Sequence, residues 1–131
     1  MTLKKLLIAS KNLGKIKEIR EILIGFPFEI KSLNDKGFDI NVEETGKSFE
    51  ENSILKAKTI GERTGLLALA DDSGLEVEAL DGRPGVFSAR YEAGSDSDRI
   101  NKLLRELEGI PKKKRTARFR AVIALYNPHT K

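Results

Sequence analysis

Apolar and polar positions along the chain follow two periods, and the switches between them mark the elements. Residues 3–9, Leu-Lys-Lys-Leu-Leu-Ile-Ala, form a mostly apolar run that predicts a first strand. Ile16, Ile19, Ile22 and Leu23 then recur at helical spacing, with Lys15, Lys17, Glu18, Arg20 and Glu21 on other faces, and Asn12 stands where an N-cap belongs. Gly25-Phe-Pro27 ends that helix, Phe28–Leu33 predicts a second strand, and Asn34-Asp-Lys-Gly37 is a turn signal. Strand, helix and strand within about thirty residues is the βαβ pattern, which implies a largely parallel arrangement.

Further on, Ser48 with Glu51 makes a capping box, predicting a helix from Phe49 to about Glu62 that Gly65 closes. Asn52 and Lys56 share a face of it beside Phe49. Leu66–Ala70 is apolar without a break and predicts a strand buried on both faces. Leu75–Leu80 mostly alternates apolar and acidic residues, so Asp71-Asp72-Ser73-Gly74 is expected as a turn between two strands. Asp-Gly and Pro-Gly pairs make Asp81–Tyr91 a structured loop containing Arg83 and Arg90. Ser95 with Asp98 makes a second capping box, and Ile100, Leu103, Leu104 and Leu107 keep the spacing of an amphipathic helix ended by Gly109 and Pro111. A last strand is expected over Thr116–Tyr126, with Ala117, Phe119, Ala121, Ile123 and Leu125 on one face and Arg118 and Arg120 pointing the other way.

With 131 residues, 39% hydrophobic and 34% charged, the composition fits a single folded domain over residues 1–131. No apolar run is long enough to span a membrane, the N-terminal apolar run is too short for a signal peptide, and a cytoplasmic location is expected. Without cysteine there is neither disulfide nor thiolate site, which leaves oxygen ligands or the lone His129 for any metal. The net charge of +4 hides a separation: residues 1–24 carry +4, residues 110–131 carry +7 and the middle carries −7. Basic ends around an acidic middle suit a metal–polyphosphate substrate, with carboxylates for the metal and Lys or Arg for phosphate oxygens. They also suit a basic patch that binds nucleic acid.

Two stretches carry the candidate chemistry. Adjacent like charges at Asp71 and Asp72 disfavour ionisation unless a cation compensates, and Mg²⁺ takes hard oxygen ligands; a plain surface turn explains the same residues equally well. Ser10-Lys-Asn-Leu-Gly-Lys15 lies between a strand and a helix N-terminus, beside backbone N–H groups at a positive helix end, a favourable place for phosphate. An ordinary cap with a solvated lysine is the competing reading. The spacing is not that of a Walker loop. Lys112–Arg120 is the strongest basic cluster, either a solvated turn or a nucleic-acid contact.

Five blocks in order resemble the non-canonical purine nucleoside triphosphate pyrophosphatases: Ala9–Lys15, Val42–Gly46 with Phe49, Asn52 and Lys56, Ala70–Leu75, Gly82–Tyr91 and Arg115–Arg120. The resemblance implies an α/β fold, a mixed twisted sheet flanked by helices with a central cleft. It implies Mg²⁺-dependent hydrolysis of ITP, dITP or XTP to the monophosphate and pyrophosphate by a cytoplasmic homodimer, with no nucleic acid as partner. Asp72 would activate water and share the metal with Asp71 and Glu43. Ser10, Lys11, Asn12, Leu13, Gly14 and Lys15 would lie against the polyphosphate with Lys56, and Ser73 and Arg90 would contact substrate. The family's later Gly-Phe-Gly-Tyr-Asp-Pro and Ser-His-Arg blocks, which grip the base, are not in these 131 residues, so a C-terminally short form with impaired base recognition is expected. The alternative is a non-catalytic nucleotide- or nucleic-acid-binding module.

Overall fold

The computed structural model describes residues 4–130 apart from residues 34, 36–39 and 92–93, and it leaves the side chains of residues 89 and 90 undescribed. The turn signal at Asn34–Gly37 therefore lies, except for Asp35, outside the described residues. The chain is mixed α/β: β1 (Lys4–Ile8), α1 (Leu13–Ile22), β2 (Phe28–Ser32), α2 (Phe49–Thr64), β3 (Leu67–Val77), α3 (Asp96–Glu106) and β4 (Ala117–Tyr126), with short 3₁₀ turns at Glu78–Leu80, Gly85–Arg90 and Lys112–Lys114. The strands form one sheet in the order β2-β1-β3-β4. Contacts divide the chain into two compact units, Met1–Asp71 with Val122–Lys131, and Asp72–Ala121.

In the first unit β1 is parallel to both neighbours, with Leu6 opposite Ile30 on one side and Leu7 opposite Ala68 on the other. A strand hydrogen-bonded on both edges and covered on both faces must be apolar, and Leu6, Leu7 and Ile8 are all buried. The core gathers Leu7, Ala9, Leu33, Ala57, Ile60, Ala68 and Ala70, with Val42, Ala124 and Tyr126 packed against it. The buried stripe of α2 includes Phe49, Ser53, Ala57 and Gly61, a row at four-residue spacing that shrinks toward the helix end. The small end serves close approach, since a Cβ on Gly61 would lie 2.5 Å from Tyr126 Cδ1. α2 starts at Ser48, whose Oγ accepts the Glu51 N–H at 3.1 Å, and ends at Gly65, which takes the left-handed φ of 70°. The expected capping box is offset by one residue: the Glu51 carboxylate accepts from Lys47 N–H at 2.8 Å.

The second unit is built on the C-terminal part of β3, α3 and the first half of β4, around Val77, Leu80 and Leu107 with Leu75, Leu103 and Ile110. Both halves of the Ser95–Asp98 capping box are present. Past the other end of α3, Arg115 donates to the Leu107 carbonyl at 2.9 Å and the Ile110 carbonyl at 2.8 Å, satisfying acceptors the helix leaves open.

One expectation is corrected, and the open face of β4 is identified. Asp71–Gly74 is not a turn between two strands, because β3 runs unbroken from Leu67 to Val77. Gly74 is there for space: a Cβ would stand 2.4 Å from the Gly85 carbonyl oxygen and 2.5 Å from Ser88 Oγ. Ser88 Oγ accepts the Leu75 N–H at 2.9 Å and donates to the Gly85 carbonyl at 2.6 Å, so the loop fixes the strand there. In β4 the strand is as expected, but its more apolar face is the open one. Phe119, Ile123 and Leu125 are 84%, 65% and 61% exposed, while Val122, Ala124 and Tyr126 are half-buried. Tyr126 faces Gly61, and that contact settles which face turns inward.

Within the second unit Glu106 accepts from the Tyr91 hydroxyl and pairs with Arg83 at 2.7 Å, while the Lys102 ammonium sits 4.5 Å from the Tyr91 ring centroid. The Tyr91 hydrogen bond, with Arg83, holds the Glu106 carboxyl below its ordinary range. Burial, with the Glu106 hydrogen bond, pushes the Tyr91 phenol up to about 12. A depressed carboxyl contributes its stability above its unfolded pKa and loses it as pH falls through the folded one. The urea midpoint is therefore expected to drop between about pH 5 and pH 3, with a shallower drop in Glu106→Gln. Gly61→Ala is expected to destabilise by about 1–3 kcal/mol despite alanine's better helix propensity, because the methyl overlaps Tyr126; equilibrium urea unfolding measures it.

Candidate functional site

β1 hands the chain to α1 through Ser10, Lys11 and Asn12. The Asn12 side chain accepts from Gly14 N–H at 3.0 Å and Lys15 N–H at 3.2 Å, and Ser10 Oγ accepts from Asn12 N–H at 3.1 Å. Two N–H groups that the sequence reading left open for an anion are thus taken by the cap, and what the helix start presents outward is the lysine of its first turn. In the parallel sheet Ile8 stands opposite Leu69. Two residues beyond that pair come Ser10, just past β1, and Asp71, inside β3, where the parallel pairing ends and open α/β sheets place ligands.

Asp71 is the meeting point. Lys15 Nζ lies 3.1 Å from its Oδ2, with the two side chains 32% and 15% exposed. Lys56 Nζ donates to the Asp71 carbonyl at 2.5 Å and pairs with Glu44 Oε1 at 2.9 Å. A cleft of about 280 Å³ in this unit is lined by Ser10, Lys11, Asn12, Lys15, Glu44 and Lys56 above an apolar floor that includes Ile40, Val42 and Ile60. Lys11 Nζ donates to Asn41 Oδ1 at 2.6 Å at its rim.

Of the expected residues, Ser10, Lys11, Asn12, Lys15 and Lys56 line this cleft, and Asp71 joins it through both lysines. Leu13 and Gly14 are exposed in the first turn of α1 and do not line it. Glu43 is exposed, and Glu44 is the half-buried carboxylate. Over residues 42–47 burial alternates, with Val42, Glu44 and Gly46 turned inward. Val42 packs against the core, and that seating, which residue type alone does not give, turns Glu44 inward and Glu43 outward. Asp72, in the second unit, is buried at 6% exposure, and burial alternates along β3 from Asp71 to Gly74, leaving Ser73 half-buried. The Arg90 side chain lies outside the described residues. Among the described residues no three His, Asp or Glu side chains are grouped as a ready metal cage; Asp71 and Glu44 are each engaged by a lysine instead.

A larger hollow of about 580 Å³ in the second unit is lined by Glu76, Glu78, Asp81, Thr116 and Arg118. Chemistry is less available there, because Arg118 Nε pairs with Glu76 at 2.7 Å and Thr116 donates to Glu78 at 2.6 Å. The basic run is exposed throughout, but its arginines are engaged: Arg115 caps α3, and Arg118 and Arg120 pair with Glu76.

The two site lysines differ in how much the fold relies on them. Lys15→Ala is expected to cost under about 1 kcal/mol, because the pair is partly exposed. Lys56→Met is expected to cost about 1–3 kcal/mol, because it leaves an acceptor and a half-buried carboxylate unpaired; urea midpoints of the two variants measure the difference.

A parallel βαβ core with a cleft of lysines and carboxylates beside its parallel pairing is an α/β protein with its cleft where such sheets place ligands. Residues 6–131 match the Ham1 family, and the chain belongs to it. It is 54% identical over 126 residues to a dITP/XTP pyrophosphatase of Geobacter sulfurreducens, covering 95% of this chain and 63% of that protein. Among solved structures, the Ham1 protein of Staphylococcus aureus matches with a TM-score of 0.84 at 42% identity, over 98% of this chain and 66% of that one. A Ham1 protein of Coxiella burnetii matches with a TM-score of 0.87 at 40% identity, over 95% and 64%. The chain thus spans just under two thirds of the length of these relatives.

Proposed function

We propose that this chain carries the catalytic part of a Mg²⁺-dependent nucleoside triphosphate pyrophosphatase acting on ITP, dITP and XTP. The observation that carries the reading is the pair of lysine–carboxylate contacts at one cleft, Lys15 with Asp71 and Lys56 with Glu44. The naming of a 54% identical relative as a dITP/XTP pyrophosphatase supports the substrate class. Each carboxylate is neutralised by a cation that a polyphosphate can draw away, and each lysine by an anion that a divalent metal can take over. A metal–triphosphate complex satisfies both exchanges at once.

Asp71 and Glu44 offer hard carboxylate oxygens that fit Mg²⁺ and would hold it, and Asp72 is a further metal-site carboxylate by resemblance alone. We assign Glu44 the part expected of Glu43, because Glu43 is turned outward. When bound, the cation supplies charge neutralisation at the phosphate oxygens. Lys15 and Lys56 bind and orient the triphosphate, with Ser10 and Asn12 as hydrogen-bonding partners, and Ser73 and Arg90 are further substrate contacts by resemblance. Asp72 accepts a proton from the attacking water. The water oxygen bonds to phosphorus as the α–β anhydride bond breaks, releasing the monophosphate and pyrophosphate. By the same resemblance we assign a homodimer and a cytoplasmic location, and sedimentation of the purified chain tests the first.

Incubation with ITP, XTP, dITP and ATP in the presence of Mg²⁺, assayed for pyrophosphate, tests the reading. Asp72→Asn is expected to lower the rate at least about 100-fold while leaving the fold intact, and chelation of the metal to abolish activity. Absence of pyrophosphate from the wild-type chain, or full activity in Asp72→Asn, rejects the proposal.

A further inference from the structure

Glu44 sits on an extended segment outside any helix or strand, yet it meets Lys56 at 2.9 Å. Something must hold that segment. Asn52 is fully buried on α2, one helical turn before Lys56, and its Oδ1 accepts the Gly46 N–H at 2.7 Å. Next to it, the Glu51 carboxylate takes the Lys47 N–H at 2.8 Å.

Gly46 is required for space. It has no left-handed φ, but a Cβ there would lie 2.6 Å from Asn52 Oδ1 and 2.7 Å from Glu51 Cβ. Asn52 is also costly where it is. Its buried Nδ2 finds no hydrogen-bond partner among the described residues, and a buried donor left unmade is expensive. Packing alone favours an apolar side chain at that position. The hydrogen bond from Gly46 is what the amide provides in return.

We propose that Asn52 and Gly46 are a positioning pair that sets the Glu44 segment against Lys56 and so shapes the metal-holding edge of the cleft. The proposal rests on the reading of Glu44 as a metal-holding carboxylate. Neither residue touches the substrate; both act through Glu44, two positions before Gly46. Asn52→Ala removes the acceptor from the helix side, and Gly46→Ala drives the strand of chain away from the other side. Asn52→Asp keeps an acceptor for the Gly46 N–H, in the first turns of α2 where the helix tolerates negative charge.

The test measures Mn²⁺ binding by the full chain in the presence of a triphosphate analogue with a methylene α–β bridge, by electron paramagnetic resonance, alongside amide exchange at Thr45–Lys47. Asn52→Ala and Gly46→Ala are each expected to weaken Mn²⁺ binding about tenfold, as loss of a ligand's supporting hydrogen bonds does, and the double variant to be no weaker than either. Asn52→Asp is expected to recover most of the affinity. Amides at Thr45–Lys47 should exchange about tenfold faster in both alanine variants, with α1 and the rest of α2 unchanged. If the wild-type chain binds no Mn²⁺, the reading of Glu44 fails, and the positioning pair is then decided by amide exchange alone. Wild-type affinity and exchange in folded Asn52→Ala or Gly46→Ala overturn the pair, as does faster exchange spread equally over α2.

Discussion

A carboxylate at the end of an interior parallel stretch is the constraint around which the first unit is arranged. The Asp71 side chain is 15% exposed, and the fold sets a cation against it. That cation is Lys15, and it is in place because Asn12 caps α1 and puts Lys15 in the first turn. Lys56 holds the same residue by its carbonyl and reaches on to Glu44. α1 and α2 thus each aim one lysine at a single residue of β3, and the capping residues Asn12 and Ser48 set the phase of both helices.

The second unit shows the same economy applied to backbone. β3 continues through Asp72, Ser73 and Gly74, residues that locally favour turns. It stays extended because the loop over Gly85–Ser88 lies against it and supplies the hydrogen bond Leu75 needs. Glu106 in turn ties that loop by accepting from Tyr91 and pairing with Arg83. A helix residue thereby holds the loop that lies against the strand carrying Asp72.

Where sequence pattern and structure agree, the pattern reported a local cause. The caps at Asn12, Ser48 and Ser95 and the closing Gly65 are side-chain or glycine effects that act within a few residues. Where they part, a distant contact decided. Gly74 reads as a turn until the approach of Gly85 and Ser88 is known. The inward face of β4 reads as the more apolar one, but Tyr126 against Gly61 turns the other face in. Glu43 and Glu44 are indistinguishable by type, and only the seating of Val42 in the core tells them apart. Lys15 was legible because it sits next to a cap and Lys56 because it shares a helix face with Asn52; the Asn52–Gly46 hydrogen bond was not, since it joins the helix to irregular chain six positions earlier.

The charge separation along the sequence resolves in the same pairwise manner. In the first unit Lys15 meets Asp71 and Arg20 meets Asp35; in the second, Arg118 and Arg120 meet Glu76. A surface built for nucleic acid keeps its cations turned to solvent, where phosphates can replace their counterions. Here Lys15 and Lys56 of the cleft have carboxylates for counterions. A bare polyphosphate that claimed Lys15 and Lys56 would leave Asp71 and Glu44 uncompensated, and a bare divalent cation that claimed the carboxylates would leave two partly buried ammonium groups unpaired. A ligand that brings both charges leaves every group paired, which is the electrical argument behind the proposed metal–polyphosphate.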